Sequence, residues 1–175
     1  MGRIYILIIL IFLFLSTSVR VVFAGSSYVL PYPSTMPGGL YYKLHLVFEE
    51  IQKYWYFGDF SQFDYNLKES DKYLVEAKTL FEYKQYLLGA SALKKSDKYF
   101  VNIKGTLEQA LKNGKNVQER EKILLEAALK HVETLVKIKE DTPENFEWRP
   151  EKGIPTSIPL GTIISKSKQL RLNSL

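Results

Sequence analysis

The sequence predicts an all-α protein: an antiparallel bundle of about four helices behind an N-terminal signal or anchor. An extended Pro-rich collar precedes the bundle and an irregular C-terminal tail follows it. Three observations carry this reading. Apolar residues recur at alternating three- and four-residue steps along two long central stretches. No stretch alternates strand with helix. The prolines are confined to the two ends of the chain.

The leader, residues 1–24, comes first. Arg3 precedes an apolar run from Ile4 to Leu15, and "STSVRVVFAG" follows. Val22 and Ala24 are small at the third and first positions before a cut at Gly25, the layout of a secretory signal. The rival is an uncleaved membrane anchor through residues 4–24. The apolar run alone rises about 18 Å as a helix, short of the roughly 30 Å hydrocarbon core. Either route exports the protein to the cell envelope or beyond.

Residues 25–39 form the collar. Pro31, Pro33 and Pro37 lack amide hydrogens and push their neighbours toward extended geometry. Alternation in an extended segment directs Tyr28, Leu30 and Tyr32 to one side. At least two of the three are expected to dock, on the first helix.

The bundle spans residues 40–141. Leu40, Leu44, Val47, Ile51 and Tyr54 stripe a first helix that Gly58 ends. Phe60, Phe63, Leu67, Ser70, Leu74, Ala77 and Phe81 stripe a second. Tyr86, Gly89, Leu93, Ser96, Phe100, Ile103, Leu107 and Ala110 stripe a third. Asn113–Gly114 breaks the chain, Asn116 caps a fourth helix, and Leu124, Leu125, Ala128, Val132, Leu135 and Ile138 give it a broad apolar face. Short connections make sequential helices antiparallel neighbours.

Ser70 and Ser96 are small residues in otherwise large stripes. They are expected to lie buried where the second and third helices cross, each hydroxyl bonded to the carbonyl four residues back. Each opens the same tetrapeptide, "SDKY". It is read as coincidence in preference to a duplicated unit, because the likeness decays after Lys104.

The tail, residues 142–175, carries Pro155 and Pro159 and shows no sustained period. It is expected to lie outside the bundle from Gly153 onward. Lys166, Lys168 and Arg171 would then offer weak contact with an anionic membrane or wall polymer. A competing reading folds Ile158, Leu160, Ile163 and Ile164 back onto the bundle.

Composition limits the chemistry. Cysteine is absent, which removes disulfides, thiolate catalysis and zinc–thiolate sites. The formal charge of +5 falls by two once Arg3 and Arg20 are set aside with the leader, a weak bias that argues against nucleic-acid binding. His45 and Glu49 share a helical face but have no third ligand at a recognised spacing. His131 sits beside an apolar face and reads as a boundary residue. No phosphate-binding loop, HExxH or serine elbow is present. No catalytic, cofactor-binding or metal set is therefore predicted. The unusual feature is aromatic supply: Tyr54, Trp55, Tyr56, Phe57 and Phe60 flank Gly58. They form either a packed corner between helices, the preferred reading, or an exposed interaction patch.

"YVLPYPSTMPGGLYYKLHLVFEEI" and the hairpin "FSQFDYNLKESDKYLVEAKTLFEYKQYLLGASALKKSDKYF" together resemble the bacterial family called domain of unknown function 5667. The likeness runs from Tyr28 to Leu111, and its specific part is the Leu-Pro-Tyr-Pro collar. One departure is the turn "FEYKQY", which lacks the family's glycine. The resemblance implies an exported helical domain and supplies no activity. Three function classes follow, in order of preference. The first is a non-enzymatic exported module contacting an unknown protein or envelope component. The second is a helical-hairpin peptide binder or envelope chaperone resembling a tetratricopeptide unit. The third is an envelope enzyme.

Overall fold

A computed structural model describes residues 26–33, 47, 51–52 and 55–175. The first predicted helix falls mostly outside these residues, as do the leader, Tyr54, and the His45–Glu49 pair. Four helices are described: α1 (Asp59–Glu82), α2 (Tyr86–Lys112), α3 (Gln118–Glu140) and α4 (Leu160–Leu172). A small sheet interrupts them, with β1 (Phe146–Trp148) antiparallel to β2 (Thr156–Ile158). The expectation of a chain without a sheet is corrected here. Three-residue strands between turn-forming prolines are too short to show a period in the sequence.

The first three helices form where the apolar stripes lie. Their ends are set by turn chemistry. At the end of α2 the Lys115 amide donates to Ala110 O (3.0 Å) and Gly114 to Leu111 O (2.9 Å). That pairing needs a left-handed residue, and Gly114 supplies it at φ +75°. The α1 end is built the same way: Gln85 donates to Leu80 O (2.8 Å) and Lys84 to Phe81 O (2.9 Å). Lysine occupies the left-handed position there, at φ +58°. The turn lacking glycine is thus a tight, strained reversal. At the start of α3, Asn116 Oδ1 accepts from the Gln118 amide (3.1 Å).

Helices α1 and α2 make the principal contact, α3 packs on α1, and α4 packs on both α2 and α3. Ion pairs fix the directions. Lys115–Asp59 (3.0 Å) and Arg120–Asp64 (3.9 Å) join the start of α3 to the start of α1. His131–Asp71 (2.6 Å) joins their middles, so α1 and α3 run parallel.

The buried apolar residues divide into two clusters. One joins Phe63, Leu67, Phe100, Ile103, Leu124 and Ala128. The other joins Leu74, Leu80, Leu93, Leu135, Leu160 and Ile164. Phe146 and Ile158 of the small sheet pack on the second cluster, Phe146 with its ring 5.0 Å from that of Tyr86. Between the clusters lies a layer of buried polar side chains.

The tail is the main correction to the sequence reading. Residues 160–172 are helical and belong to the core; Leu160, Ile164, Ser167 and Arg171 form the buried stripe of α4. Pro159 stands at the helix start, where a missing amide costs nothing. Gly161 lets α4 begin against Glu144: its amide donates to Glu144 O (3.0 Å), and a Cβ there would collide with the Glu144 carboxylate. The stripe went unseen because half of it is polar. Arg171 also leaves the set of tail charges available to an anionic surface, since it is fully buried.

Candidate functional site

The polar layer is built on the two copies of "SDKY". Where α1 crosses α2, Ser96 Oγ donates to Ser70 O (2.8 Å) and Ser70 Oγ donates to Ser96 O (3.1 Å). Both serines are fully buried. Their hydroxyls therefore bond across the crossing and not to the carbonyl four residues back, as had been expected. Small side chains let the backbones approach, and the exchange satisfies both hydroxyls. The two tetrapeptide tyrosines stack beside the crossing, Tyr73 on Tyr99, with centroids 5.8 Å apart and planes 4° from parallel.

The two aspartates point into the bundle and take corresponding roles. Asp71 Oδ1 lies 2.6 Å from His131 Nε2 on α3. Asp97 Oδ1 accepts from Ser167 Oγ (2.6 Å) and from Arg171 Nη1, both on α4. Arg171 also donates to Ser167 Oγ (2.8 Å), Ser167 O (3.1 Å) and Ser96 Oγ (2.8 Å). Its guanidinium sits 4.9 Å from the Phe100 ring, whose other neighbour is His131 at 5.3 Å. The crossing thus has an approximate two-fold relation that exchanges α1 with α2 and α3 with α4.

Laid out on that relation, "LKESDKYLVEAKTLFE" (67–82) and "LKKSDKYFVNIKGTLE" (93–108) are identical at nine of sixteen positions. The likeness between the two tetrapeptides thus extends over a longer stretch, and their aspartates take corresponding partners. The sequence carried the signal, but only the tetrapeptide stood out in it.

The sequence reads His131 as lying at the edge of an apolar face; the structure puts it at the centre, fully buried. An ionised carboxylate only accepts, so Nε2 carries the proton toward Asp71. Nδ1 is buried without a hydrogen-bond partner. Burial holds the imidazole pKa below its ordinary value; the Asp71 hydrogen bond opposes this, and the Arg171 charge adds to it. Burial likewise lowers Arg171, against the pull of Asp97.

The collar joins this layer from outside. Residues 26–33 are extended. Ser26 Oγ donates to Glu126 O on α3 (2.8 Å), and Tyr28 OH donates to Asp71 Oδ2 (2.6 Å). Asp71 therefore holds His131 with one oxygen and Tyr28 with the other. Burial, then the Asp71 charge, raises the phenol pKa, so Tyr28 stays a donor. Tyr28 packs against the first apolar cluster and Leu30 against the second. Tyr32, 96% exposed, does not dock. The described contacts place the collar on α1 and α3; the first predicted helix, on which docking was expected, lies mostly outside the described residues. Pro31 and Pro33 help line a groove of about 620 Å³ with Val75, Lys78, Lys130 and Thr134.

The aromatic cluster divides. Trp55 (73% exposed) and Phe57 (81%) face solvent. Tyr56 packs its ring 5.0 Å from Tyr65, and Phe60 lies under the Arg120 guanidinium at 3.8 Å. Elsewhere on α1, Glu69 and Lys72 approach to 3.7 Å. Burial raises the Glu69 carboxyl and pushes Lys72 down to about 8. Among the described residues no group of three or more metal-ligating side chains converges, and no helix is long and apolar enough to cross a membrane. No family model, curated protein or solved structure matches the chain.

Proposed function

We propose that the protein is a non-enzymatic, exported helical module, of the domain of unknown function 5667 type, that contacts a protein or cell-envelope component. In this reading residues 1–24 direct export or anchor the chain, the collar leads from them, and an antiparallel bundle makes the contact. The observation that carries it is the pair Trp55 and Phe57, large aromatics left in solvent immediately ahead of α1. The central ionisable residues support it too. Asp71, His131, Asp97 and Arg171 are committed to one another across helices, a use of polar groups that cross-links a fold.

Proximity labelling in the native host tests the proposal. A defined envelope neighbour should be enriched by the parent and lost in the Trp55→Ala/Phe57→Ala variant at unchanged thermal stability. Equal enrichment by both would overturn it. A second reading, a helical-hairpin peptide binder or chaperone, is favoured by one observation: an extended proline-bearing segment packs along α1 and α3 and forms one wall of the groove there.

A further inference from the structure

The two-fold relation makes a geometric demand. If α1 and α3 form a seat for an extended segment, α2 and α4 should form another. Taking Ser70 onto Ser96 carries Val75 and Lys78 onto Val101 and Lys104. Taking His131 onto Arg171 carries Lys130, Glu133 and Thr134 onto Leu170, Asn173 and Ser174. The five starting residues line the collar groove. The five they are carried onto line a separate groove of about 490 Å³. Val101, one of its lining residues, is 56% exposed.

The hydrogen-bonding end of the seat is duplicated as well. At the Tyr28 end of the collar, ahead of the groove, Asp71 gives one oxygen to His131 and the other to the Tyr28 hydroxyl. Asp97 gives Oδ1 to both interior partners. Among the described residues Asp97 Oδ2 has no partner, and the side chain keeps 24% of its surface in solvent. Asp97 stands one turn before Val101, as Asp71 stands one turn before Val75, so an incoming tyrosine hydroxyl would meet it in the same register.

We infer that the groove between α2 and α4 is a second seat, for an extended tyrosine- and proline-bearing segment of a partner protein. Its occupant should be neutral or acidic. Lys104 and Lys166 line the groove with no carboxylate among the lining residues, and Leu170 stands where the first groove has Lys130. The chain's own collar, "SSYVLPYP", is uncharged and shows the kind of segment that fits. Among the described residues one collar segment accompanies two such grooves, which points to a segment from elsewhere. The inference deepens the reading of the protein as an interaction module and rests on it. The two fail separately: proximity labelling asks whether partners exist, whereas a titration asks which seat a peptide takes.

The probe is the synthetic peptide SSYVLPYP, titrated into the isotope-labelled full chain and followed by amide chemical shifts. Saturable shifts at Val101, Lys104 and Leu170 are expected, with those at Val75 and Thr134 small. Val101→Arg, at an exposed position, should weaken binding about tenfold or more by removing apolar contact and crowding the groove. Asn173→Arg, also exposed, is the second variant, and both should keep the parent's circular dichroism. A peptide with phenylalanine for its first tyrosine should bind more weakly to the parent. Three results would overturn the inference. One is the absence of saturable binding. Another is a shift pattern confined to Val75 and Thr134, which would mean the peptide only displaces the resident collar. The last is self-association abolished by Val101→Arg without peptide binding, which would assign the groove to a second copy.

Discussion

Replacing Arg171 with alanine tests how the C-terminal helix is held. The guanidinium pairs with Asp97 and donates to Ser96 and Ser167 while fully buried. Deleting one partner of a buried ion pair costs about 3–5 kcal/mol, because the other charge is left without compensation. Asp97 retains partial exposure and can recruit water, which pulls the electrostatic part toward the low end. The buried hydroxyls of Ser96 and Ser167 also lose a partner, and the removed side chain leaves a void beside Phe100. A net loss of about 3 kcal/mol is expected. With a urea m-value of about 2 kcal/mol/M, the midpoint should fall by roughly 1.5 M. Urea unfolding followed by circular dichroism reads this directly. Arg171→Lys should recover part of the loss, since one ammonium keeps the charge but cannot reach Ser96, Ser167 and Asp97 in the guanidinium's planar fork. A change within about 0.5 kcal/mol for Arg171→Ala would refute the reasoning, as it is the size of an ordinary surface substitution.

Four further outcomes follow from the structure. Ser70→Leu and Ser96→Leu should each lower stability by about 1–3 kcal/mol in chemical denaturation, because the crossing has no room for a larger side chain. His131 has a folded-state pKa below its unfolded value near 6.5. Its contribution is therefore complete above about pH 6.5 and falls away as pH drops below that, so stability at pH 7.5 should exceed that at pH 5.5 by less in His131→Gln than in the parent; Glu69, raised above 4.5, acts in the opposite sense, and equally in both proteins, so the comparison cancels it. Lys84→Gly should stabilise by about 0.5–1 kcal/mol in thermal melts, by relieving the left-handed residue at the hairpin turn. Tyr28→Phe should cost about 1.5 kcal/mol, since it removes a hydrogen bond to a carboxylate, and limited proteolysis should then cut the collar faster.

Three helices were legible because their apolar stripes are long and their ends carry turn chemistry. The sequence places them at 60–81, 86–110 and 116–138, and the structure at 59–82, 86–112 and 118–140. The last helix was hidden for a physical reason. Its buried face includes Gly161, Ser167 and Arg171, and hydrophobic periodicity cannot register a face satisfied by hydrogen bonds. The same blindness misplaced His131. A lone histidine beside leucines gives no sign of the aspartate that meets it sixty residues earlier. Ser70 and Ser96 were legible as small residues in large stripes, while the direction of their hydroxyl bonds depended on the opposite helix. The repeated tetrapeptide held the missing information, since each copy supplies a carboxylate that needs a partner from a later helix.

The two arms of the polar layer are alike in geometry and unlike in chemistry. One aspartate holds an imidazole, a group that changes charge near neutrality; the other holds a guanidinium, which keeps its charge at every accessible pH. Acid therefore reaches the two arms unequally. A proton entering His131 finds Nδ1 with no acceptor and Arg171 close by, whereas the Arg171 guanidinium already carries its full complement of protons. The strained arm is the one whose aspartate also holds Tyr28. The cost of protonating the folded molecule therefore falls on the arm whose aspartate fastens the N-terminal strap, while the arm that holds the C-terminal helix keeps its guanidinium charged.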